Sequence, residues 1–510
     1  MTQPRKPFLP VSNPGRRGII EAAAETASAL DMPAYVVGGY LRDTLLGRPA
    51  NDLDLVVEGD AGKMAAALAA ALGTEFFALD AAAGMYRIPL KQAVFEEIDI
   101  SSAAGAIRDD LARRDFTVDA LAAAVPYPLP ERLVITDEAG GLADLERKVL
   151  RAVSPGVFRD DPARLLRGVR LAAELGFAIE PGTESLIAAA ASLAASVAGE
   201  RTREDLVKIL SLPSIGQTVE YLDRLGLLAA LFPELETCRG VEQPPEHAWD
   251  VLGHQLKTVG ALDWVLRRGM WPHASAKARQ LIPWDGESEA YFLGKIGGGA
   301  TRLALTRLAA LIHDVAKPET RTLAANGRLR FYGHARKGAE KADAIMKRLR
   351  FSQREAGFVT AIVEAHLRPT QLGPEAIPPT PRAVYRFLRD TGDAAVATLY
   401  LSLADHLAAR GPDLDLDNFR QHVTIVGYVL AERGRQLAKP SGRLVDGNEL
   451  QARFGMKPGP AMGRVLEAVA EARATGEIAS KEEALTLAER LIREPPADET
   501  KNRRRGCRGE

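Results

Sequence analysis

Two aspartates one residue apart, Asp52 and Asp54, lie in the stretch VVGGYLRDTLLGRPANDLDLVV, residues 36–57. The apolar residues around them read as a β-strand, in which successive side chains point to opposite faces. Both carboxylates therefore share one face, and Leu53 and Leu55 take the other. Two carboxylates on a partly buried face repel each other and lose hydration. A divalent cation removes that conflict. Mg²⁺ is held by one or two carboxylates together with phosphate oxygens, so the pattern suits metal-dependent nucleotidyl or phosphoryl transfer. Upstream, Gly38-Gly39 opens a short helix that carries Arg42 and permits a tight turn with backbone N–H groups free for phosphate. A lone Asp-x-Asp is more often the mark of a solvated edge strand. Gly-Gly and Arg42-Asp43 at this spacing favour the metal site.

The elements that must position these residues alternate in type over the first 150 residues or so. Residues 19–31 read as a helix, AYVVGG as a strand, YLRDTLLG as a helix and DLDLVVEG as a strand. Residues 61–72 then read as a helix, with YRIPL and FEEIDIS as further strands. Strands mixed with helices predict a small α/β or α+β domain. After Pro155 strand patterns nearly vanish. Helices are expected over 161–176, 183–195, 201–211 and 215–230, a loop insertion over 271–300, and further helices from 301 to about 435. QPPEH (243–247) and GPEAIPPTP (373–381) are breaks.

The stretch around Asp52 resembles the first motif of the tRNA nucleotidyltransferase/poly(A) polymerase family, in its bacterial, eukaryote-like class. RRDFTVDALA (113–122), DEAGGLADLERKVLRAV (137–153), RDDPARLLRGVRLAAELGF (159–177) and GERTREDLVKIL (199–210) resemble the second to fifth motifs, in order. Tyr40 and Asp160 depart from the family, which more often has Val or Ala and Glu there. The resemblance implies an α/β head of polymerase β-like nucleotidyltransferase type, an all-α neck, an HD-type helical body and a helical tail. The expected boundaries are 18–153 for the head, 154–240 for the neck, 245–411 for the HD-type domain, 412–495 for the tail and 496–510 for a disordered end.

The resemblance also implies roles. Asp52 and Asp54 would hold two Mg²⁺ ions, with Asp99 a candidate third carboxylate or merely an exposed strand residue. Gly38, Gly39 and Arg42 would serve the nucleotide, Arg114 its triphosphate and Asp115 its ribose 2′-hydroxyl. In the fourth motif, Asp161 and Arg164 are three apart and Asp160 and Arg164 four apart, which places them on one face if the segment is helical. A carboxylate accepts from an exocyclic amino group and a guanidinium donates to a ring acceptor. Cytosine and adenine present that pair at their pairing edges, whereas uracil and guanine would set like groups against each other, at a penalty. Asp161 with Arg164 thus suits a protein template for CTP and ATP. Alternatively Asp161, before Pro162, is a helix cap and Arg164 its surface partner. Arg167 and Arg170 either meet primer phosphate or are surface charge. Glu200, Arg201 and Glu204 of the fifth motif are expected to brace the neck helices.

A second ordered series follows: EHAWDVLGHQLKT, LAALIHDVAKP, FYGHARKGAE, VEAHLRP and LADHLAARG, holding six of the 8 histidines. It resembles an HD-type metal phosphohydrolase. By that resemblance His254, His313, Asp314 and Asp405 would bind a metal, His334 and His366 a second metal or the phosphate, and Lys317 would neutralise phosphate. His/Asp sites accept several divalent ions, so a divalent transition metal and Mg²⁺ are both open. The chemistry implied is phosphomonoester or 2′,3′-cyclic phosphodiester hydrolysis. In the tail, Lys457 before a Pro-Gly-Pro turn is a candidate RNA contact or an ordinary helix start.

Composition narrows the alternatives. The chain has 510 residues, is 46% hydrophobic and 26% charged, and carries a formal net charge of −1. Global charge selects no partner, so any RNA site must be a local basic patch. Two cysteines far apart suggest a reducing cytoplasm and no thiolate metal site. No apolar run of signal-peptide or membrane-spanning length is present, so no membrane partner is expected. The expectation is a cytoplasmic enzyme that adds C and/or A to tRNA 3′ ends from CTP and ATP. Its rivals are a CC-adding or A-adding specialist, a poly(A) polymerase, or an HD phosphohydrolase whose head only binds nucleotide or RNA. Oligomeric state is not legible.

Overall fold

The computed structural model describes residues 8–11, 13–90, 94–103, 105–297, 299–373, 378–438 and 443–493. The end expected to be disordered, 496–510, lies outside these residues. By contact density the chain divides into two units: residues 1–212 with 217–233, and residues 213–216 with 234–510.

The first unit holds head and neck. Eight strands form one sheet: β1 (Phe8–Pro10), β2 (Ala34–Val37), β3 (Asp52–Val57), β4 (Phe77–Asp80), β5 (Met85–Pro89), β6 (Glu97–Ser102), β7 (Leu121–Ala124) and β8 (Arg132–Asp137), in the order β1-β8-β7-β2-β3-β6-β5-β4. β3 and β6 run parallel, and the other pairs are antiparallel. Sequence reading misses β1, β4, β7 and β8: β1 has three residues, β4 is exposed throughout, β7 is Ala-rich, and β8 is half exposed. One sheet face is packed mainly with apolar side chains, with Leu53, Leu55, Ile98 and Ile100 all buried. Helices Pro14–Ala29 and Ala61–Leu72 belong to the same unit. The latter starts where the Asp60 side chain accepts from Lys63 N and stops at Gly73, left-handed at φ 65°. It packs its small residues tightly on the sheet, since a Cβ on Gly62 would stand 2.9 Å from the Tyr86 hydroxyl.

The neck is helical, as expected, with shifted boundaries. Its helices are Val157–Asp160, Ala163–Leu175, Pro181–Ala190, Gly199–Leu210, Gly216–Arg224 and Leu227–Leu231. The expected helix 215–230 is broken by Gly226, at φ 76°. The expected helix 161–176 begins only at Ala163, because Asp161 is extended (φ −145°, ψ 100°) ahead of Pro162. Proline disfavours a helical residue before it, and that explains the break.

The second unit is almost wholly helical. Helices Val251–Val265, Arg302–Ile312, Gln353–Ala365 and Ala395–Arg410 form its centre, and Arg302–Ile312 is buried on every side. An Arg307–Asp263 ion pair lies fully inside, with Nε 2.8 Å from Oδ1. The other Asp263 oxygen accepts from the Ile215 and Gly216 N–H groups at 2.6 and 3.2 Å, which satisfies a charge that would otherwise be costly to bury. The segment 271–300 is no plain loop: it contains helices Ala276–Leu281 and Gly286–Leu293, begun by Ser275 and Asp285 side chains. The tail has its own apolar cluster, including Leu450, Val465, Val469 and Ala488. No helix among the described residues is long and apolar enough to cross a membrane.

Candidate active site and metal centre

In β3, Asp52 and Asp54 share a face, with Leu53 and Leu55 turned into the core. The strand registers extend this face sideways. Asp54 pairs with Asp99, Asp99 with Arg87, and Arg87 with Phe77. Asp99 therefore stands beside Asp54, but it is not a free third carboxylate. Arg87 Nε and Nη2 donate to its two oxygens at 2.7 and 2.8 Å, and Arg87 also meets Glu97 at 2.9 Å.

Burial pushes the Asp54 carboxyl up to about 6; Arg114 opposes this, while Asp99, Asp119 and Asp52 reinforce it. Burial, with Glu96 and Asp99, also raises Asp52. Two neighbouring carboxylates that are both pushed toward protonation lack positive charge. This donor set fits a hard divalent cation such as Mg²⁺.

Gly38 follows β2 at φ 65°. A Cβ there would stand 2.9 Å from Arg114 Nη1 and 3.3 Å from Asp54 Oδ2. Glycine is therefore required both by the backbone angle and by the two charged groups it separates. Its own N–H donates to Leu121 O at 3.3 Å, so the phosphate donors expected from Gly38-Gly39 begin at Gly39. Gly38→Ala is expected to displace Arg114 and lower kcat/KM for nucleoside triphosphate by roughly 10²-fold. Steady-state incorporation assays, with circular dichroism to confirm the fold, check this.

Arg42 is expected at the nucleotide. It is buried and braces the site, with Nη1 2.7 Å from Asp119 and Nε and Nη2 on Asp43 at 3.0 and 2.9 Å. Arg114 contacts Asp110 and the Asp119 carbonyl, both at 3.3 Å. Asp115 accepts from Phe116 N at 3.0 Å and pairs with Arg167 Nε at 3.0 Å. Arg167 thus ties the helix Ala163–Leu175 to the Asp115 turn. Arg170 is engaged by Asp205 at 2.8 Å and Glu174 at 3.0 Å.

Asp160 and Asp161 do not share a helix with Arg164. Asp161 precedes the Pro162 cap of that helix, accepts from Ala163 N at 3.1 Å, and lies 3.9 Å from Arg164 Nε. Its strongest partner is one that spacing did not single out. Arg201 of the fifth motif grips both Asp161 oxygens at 3.0 and 2.7 Å. Asp160 is exposed at the end of its helix. Lys457, in the tail, is exposed ahead of the helix Pro460–Thr475.

In the second unit the histidine series converges. His254 Nε2 lies 3.0 Å from Asp405 Oδ1 and 3.3 Å from His313 Nε2. Asp314 is the hub. Its Oδ2 is 3.2 Å from His313 Nε2 and 2.6 Å from Lys317 Nζ, and its Oδ1 is 3.3 and 3.6 Å from the Nε2 atoms of His334 and His366. The Nδ1 atoms of His313, His334 and His366 face the carbonyls of Ala310, Phe331 and Val363 at 2.9, 2.6 and 2.6 Å. Those carbonyls fix the proton on Nδ1 and leave Nε2 lone pairs aimed at one centre. Asp314 Oδ1 and His334 Nε2 are buried without a hydrogen bond. Burial and the neighbouring histidines push His366 down to about 3, so it is neutral, as a metal ligand must be. The two groups His254/His313/Asp405 and His313/Asp314/His366 each bring their ligand atoms within 4.8 Å of one another. His334 borders a cavity of about 400 Å³ that Lys317, Arg328, Arg330, Phe331 and Arg410 also line. His247, which sequence reading left aside, faces the same cavity, and its ring is 5.5 Å from that of His254.

Comparison with known proteins finds three families along the chain. The Poly A polymerase head domain family matches residues 34–151, the family described as a probable RNA and SrmB-binding site of polymerase A matches 176–238, and the HD domain family matches 290–410. An A-adding tRNA nucleotidyltransferase of Deinococcus radiodurans is 34% identical over 91% of this chain and 96% of its own length. A CC-adding tRNA nucleotidyltransferase of Thermus thermophilus is 33% identical over 88% and 92%. The structure of the Thermotoga maritima CCA-adding enzyme complexed with tRNA shares the fold at TM-score 0.63 and 21% identity, covering 95% of this chain and 99% of that one. With a poly(A) polymerase-type head, an RNA-binding neck and an HD domain, the chain belongs to the tRNA nucleotidyltransferase family, whose members add CC and/or A.

Proposed function

We propose that this enzyme extends tRNA 3′ ends with C and A from CTP and ATP, releasing pyrophosphate. The observation that carries the reading is Gly38 wedged between Asp54 Oδ2 and Arg114 Nη1. It brings a cation-binding carboxylate and a triphosphate-binding guanidinium to one point. Asp52 and Asp54 would hold Mg²⁺, which supplies charge neutralisation at the attacking and leaving oxygens. Arg114 binds and orients the triphosphate, with Gly39 N–H beside it. Asp115, fixed by Arg167, offers its remaining acceptor capacity to the ribose 2′-hydroxyl. The RNA 3′-oxygen forms its bond to the α-phosphorus as the bond to pyrophosphate breaks.

Base choice falls to Asp161 and Arg164. A carboxylate has about four acceptor positions, so the Arg201 grip orients Asp161 without saturating it. One lone pair remains for the exocyclic amine of cytosine or adenine, while Arg164 donates to the ring acceptor. A specialist that adds only CC or only A is the second reading. It is favoured by two relatives of opposite speciality that match nine-tenths of the chain. The HD cluster, in this proposal, binds a divalent transition metal or Mg²⁺ and hydrolyses phosphoesters, with Lys317 on the phosphate.

The test offers tRNAs ending before CCA, after C and after CC, with CTP, ATP, UTP or GTP singly and CTP and ATP together. Complete CCA on the shortest substrate is expected. Stopping at CC, or adding A only to CC-ended tRNA, assigns a specialist, and long A-tracts assign a poly(A) polymerase. No incorporation overturns the transferase reading.

A further inference from the structure

The catalytic face of the head sheet does not end at Asp99. Residues directly opposite one another on neighbouring strands share a face, so the row Asp54, Asp99, Arg87, Phe77 lies on one side of the sheet. Strands are spaced about 4.8 Å apart, which sets Phe77 about 14 Å from Asp54 at the sheet edge. Met85, paired with Ser101, is on the same face. The opposite face is closed by helix Ala61–Leu72 on Tyr86. Phe77 and Met85 are left 49% and 42% exposed. Phe77 on the edge strand and Met85 on its neighbour together leave an apolar patch on this face, the kind of surface that a partner covers.

Chemistry at Asp54 says which partner. In phosphoryl transfer the attacking and leaving oxygens lie roughly in line across the phosphorus. Gly38 and Arg114, which take the triphosphate in the reading above, stand on the β2 side of Asp54. The attacking 3′-hydroxyl must then arrive from the other side, over β6, β5 and β4. Phe77 is the exposed aromatic ring along that approach, while Arg87 is held by Asp99 and Glu97. An exposed aromatic on which a base stacks is a recurring element of sites for single-stranded nucleic acid.

Resting on the transferase reading, we propose that Phe77 is a positioning residue for the RNA primer. In this role a base of the single-stranded tRNA 3′ end, upstream of the reacting nucleotide, stacks on its ring, and Met85 extends the platform. Stacking is indifferent to base identity, which suits a primer whose last residues change with each addition.

Phe77→Ala, Phe77→Leu and Phe77→Trp in the full-length enzyme test this. Phe77→Ala is expected to raise KM for tRNA roughly tenfold, with kcat and KM for nucleoside triphosphate changed less than about twofold. Phe77→Trp should restore KM and Phe77→Leu should not, because Leu supplies apolar area without a stacking face. An unchanged KM for tRNA, rescue by Leu, or an equal rise in KM for nucleotide would overturn the proposal. So would a change in oligomeric state by analytical ultracentrifugation, which would show that a second copy covers this face. Equilibrium binding of fluorescein-labelled tRNA needs no turnover. It reads Phe77 even if the wild type incorporates no nucleotide, an outcome that would sink the transferase reading separately.

Discussion

Asp54→Asn is expected to abolish nucleotide transfer and, in metal-free buffer, to raise thermal stability. The loss of a cation ligand at the reacting phosphate removes several kcal/mol of transition-state stabilisation, roughly 10³-fold or more in kcat. The gain in stability follows from the same residue. The fold holds the Asp54 carboxyl near 6, whereas an unfolded chain releases that proton near 3.9. Between those values the folded state keeps a proton that the unfolded state has lost. Stability from this group is therefore fully present below about pH 4, falls as pH rises toward about 6, and stays lost above. The difference is about 2 kcal/mol after allowing for solvent at the carboxylate. Asparagine carries no such term, so the variant's Tm should exceed the wild type's by a few degrees at pH 7.5 and match it near pH 4. Adding Mg²⁺ should raise the wild-type Tm, by mass action on the folded state, and leave the variant's nearly unmoved. Scanning calorimetry across pH with and without Mg²⁺ measures both. A variant less stable than the wild type at pH 7.5 without metal would mean that Asp54 is held by Arg114 as a structural ion pair.

The same electrostatics explains what could be read from sequence. Asp52 and Asp54 were legible because strand alternation alone places them together, and because two unbalanced carboxylates need a reason. Gly38 was legible as a turn, but its contact with Arg114 was not. That contact depends on β7 lying beside β2, and no pattern in LAAA announces a strand. The partners of Arg42 were hidden for a similar reason. Asp119, its buried partner, is remote in sequence, and an arginine near a Gly-Gly turn looks the same whether it faces phosphate or an aspartate. Arg87 neutralises Asp99 only because β5 pairs antiparallel with β6 in one register. The Asp161 site was half legible. Chemical complementarity picked Asp161 and Arg164, whereas helical spacing placed them on a helix that Pro162 interrupts. Arg201, forty residues away, was expected as a brace of the neck helices, but its partner Asp161 emerged only from the packing of the neck. The histidine series was legible as an ordered set because ligand residue types are few. The carbonyls that fix three of its rings are not, since every residue has one.

At that second centre, Asp314→Asn is expected to remove metal binding and phosphoester hydrolysis while nucleotide addition by the head stays within about twofold. Asp314 is the one carboxylate that His313, His334, His366 and Lys317 all approach. Burial would raise its pKa, but His313 and Lys317 outweigh that and hold it well below the usual carboxylate range. Asparagine keeps the shape and one acceptor but withdraws the charge. Metal affinity should fall at least roughly 100-fold, since lesser changes around metal ligands already cost 10–100-fold. Hydrolysis of a 2′,3′-cyclic nucleotide should fall with it. Lys317, almost wholly buried, loses its ion pair and keeps Gln243 Oε1 at 2.7 Å. Breaking a buried pair on one side costs about 3–5 kcal/mol, and the remaining hydrogen bond places this case at about 3. Adding Lys317→Met should recover part of that loss without returning metal, because it removes the stranded cation and not the missing ligand. Elemental analysis of purified protein and calorimetry separate the two effects. Full metal content in Asp314→Asn would mean that His254, His313 and Asp405 suffice as ligands, and that Asp314 serves only to anchor Lys317. Loss of nucleotide addition in parallel would mean that the head depends on this centre, and the two activities would no longer be independent.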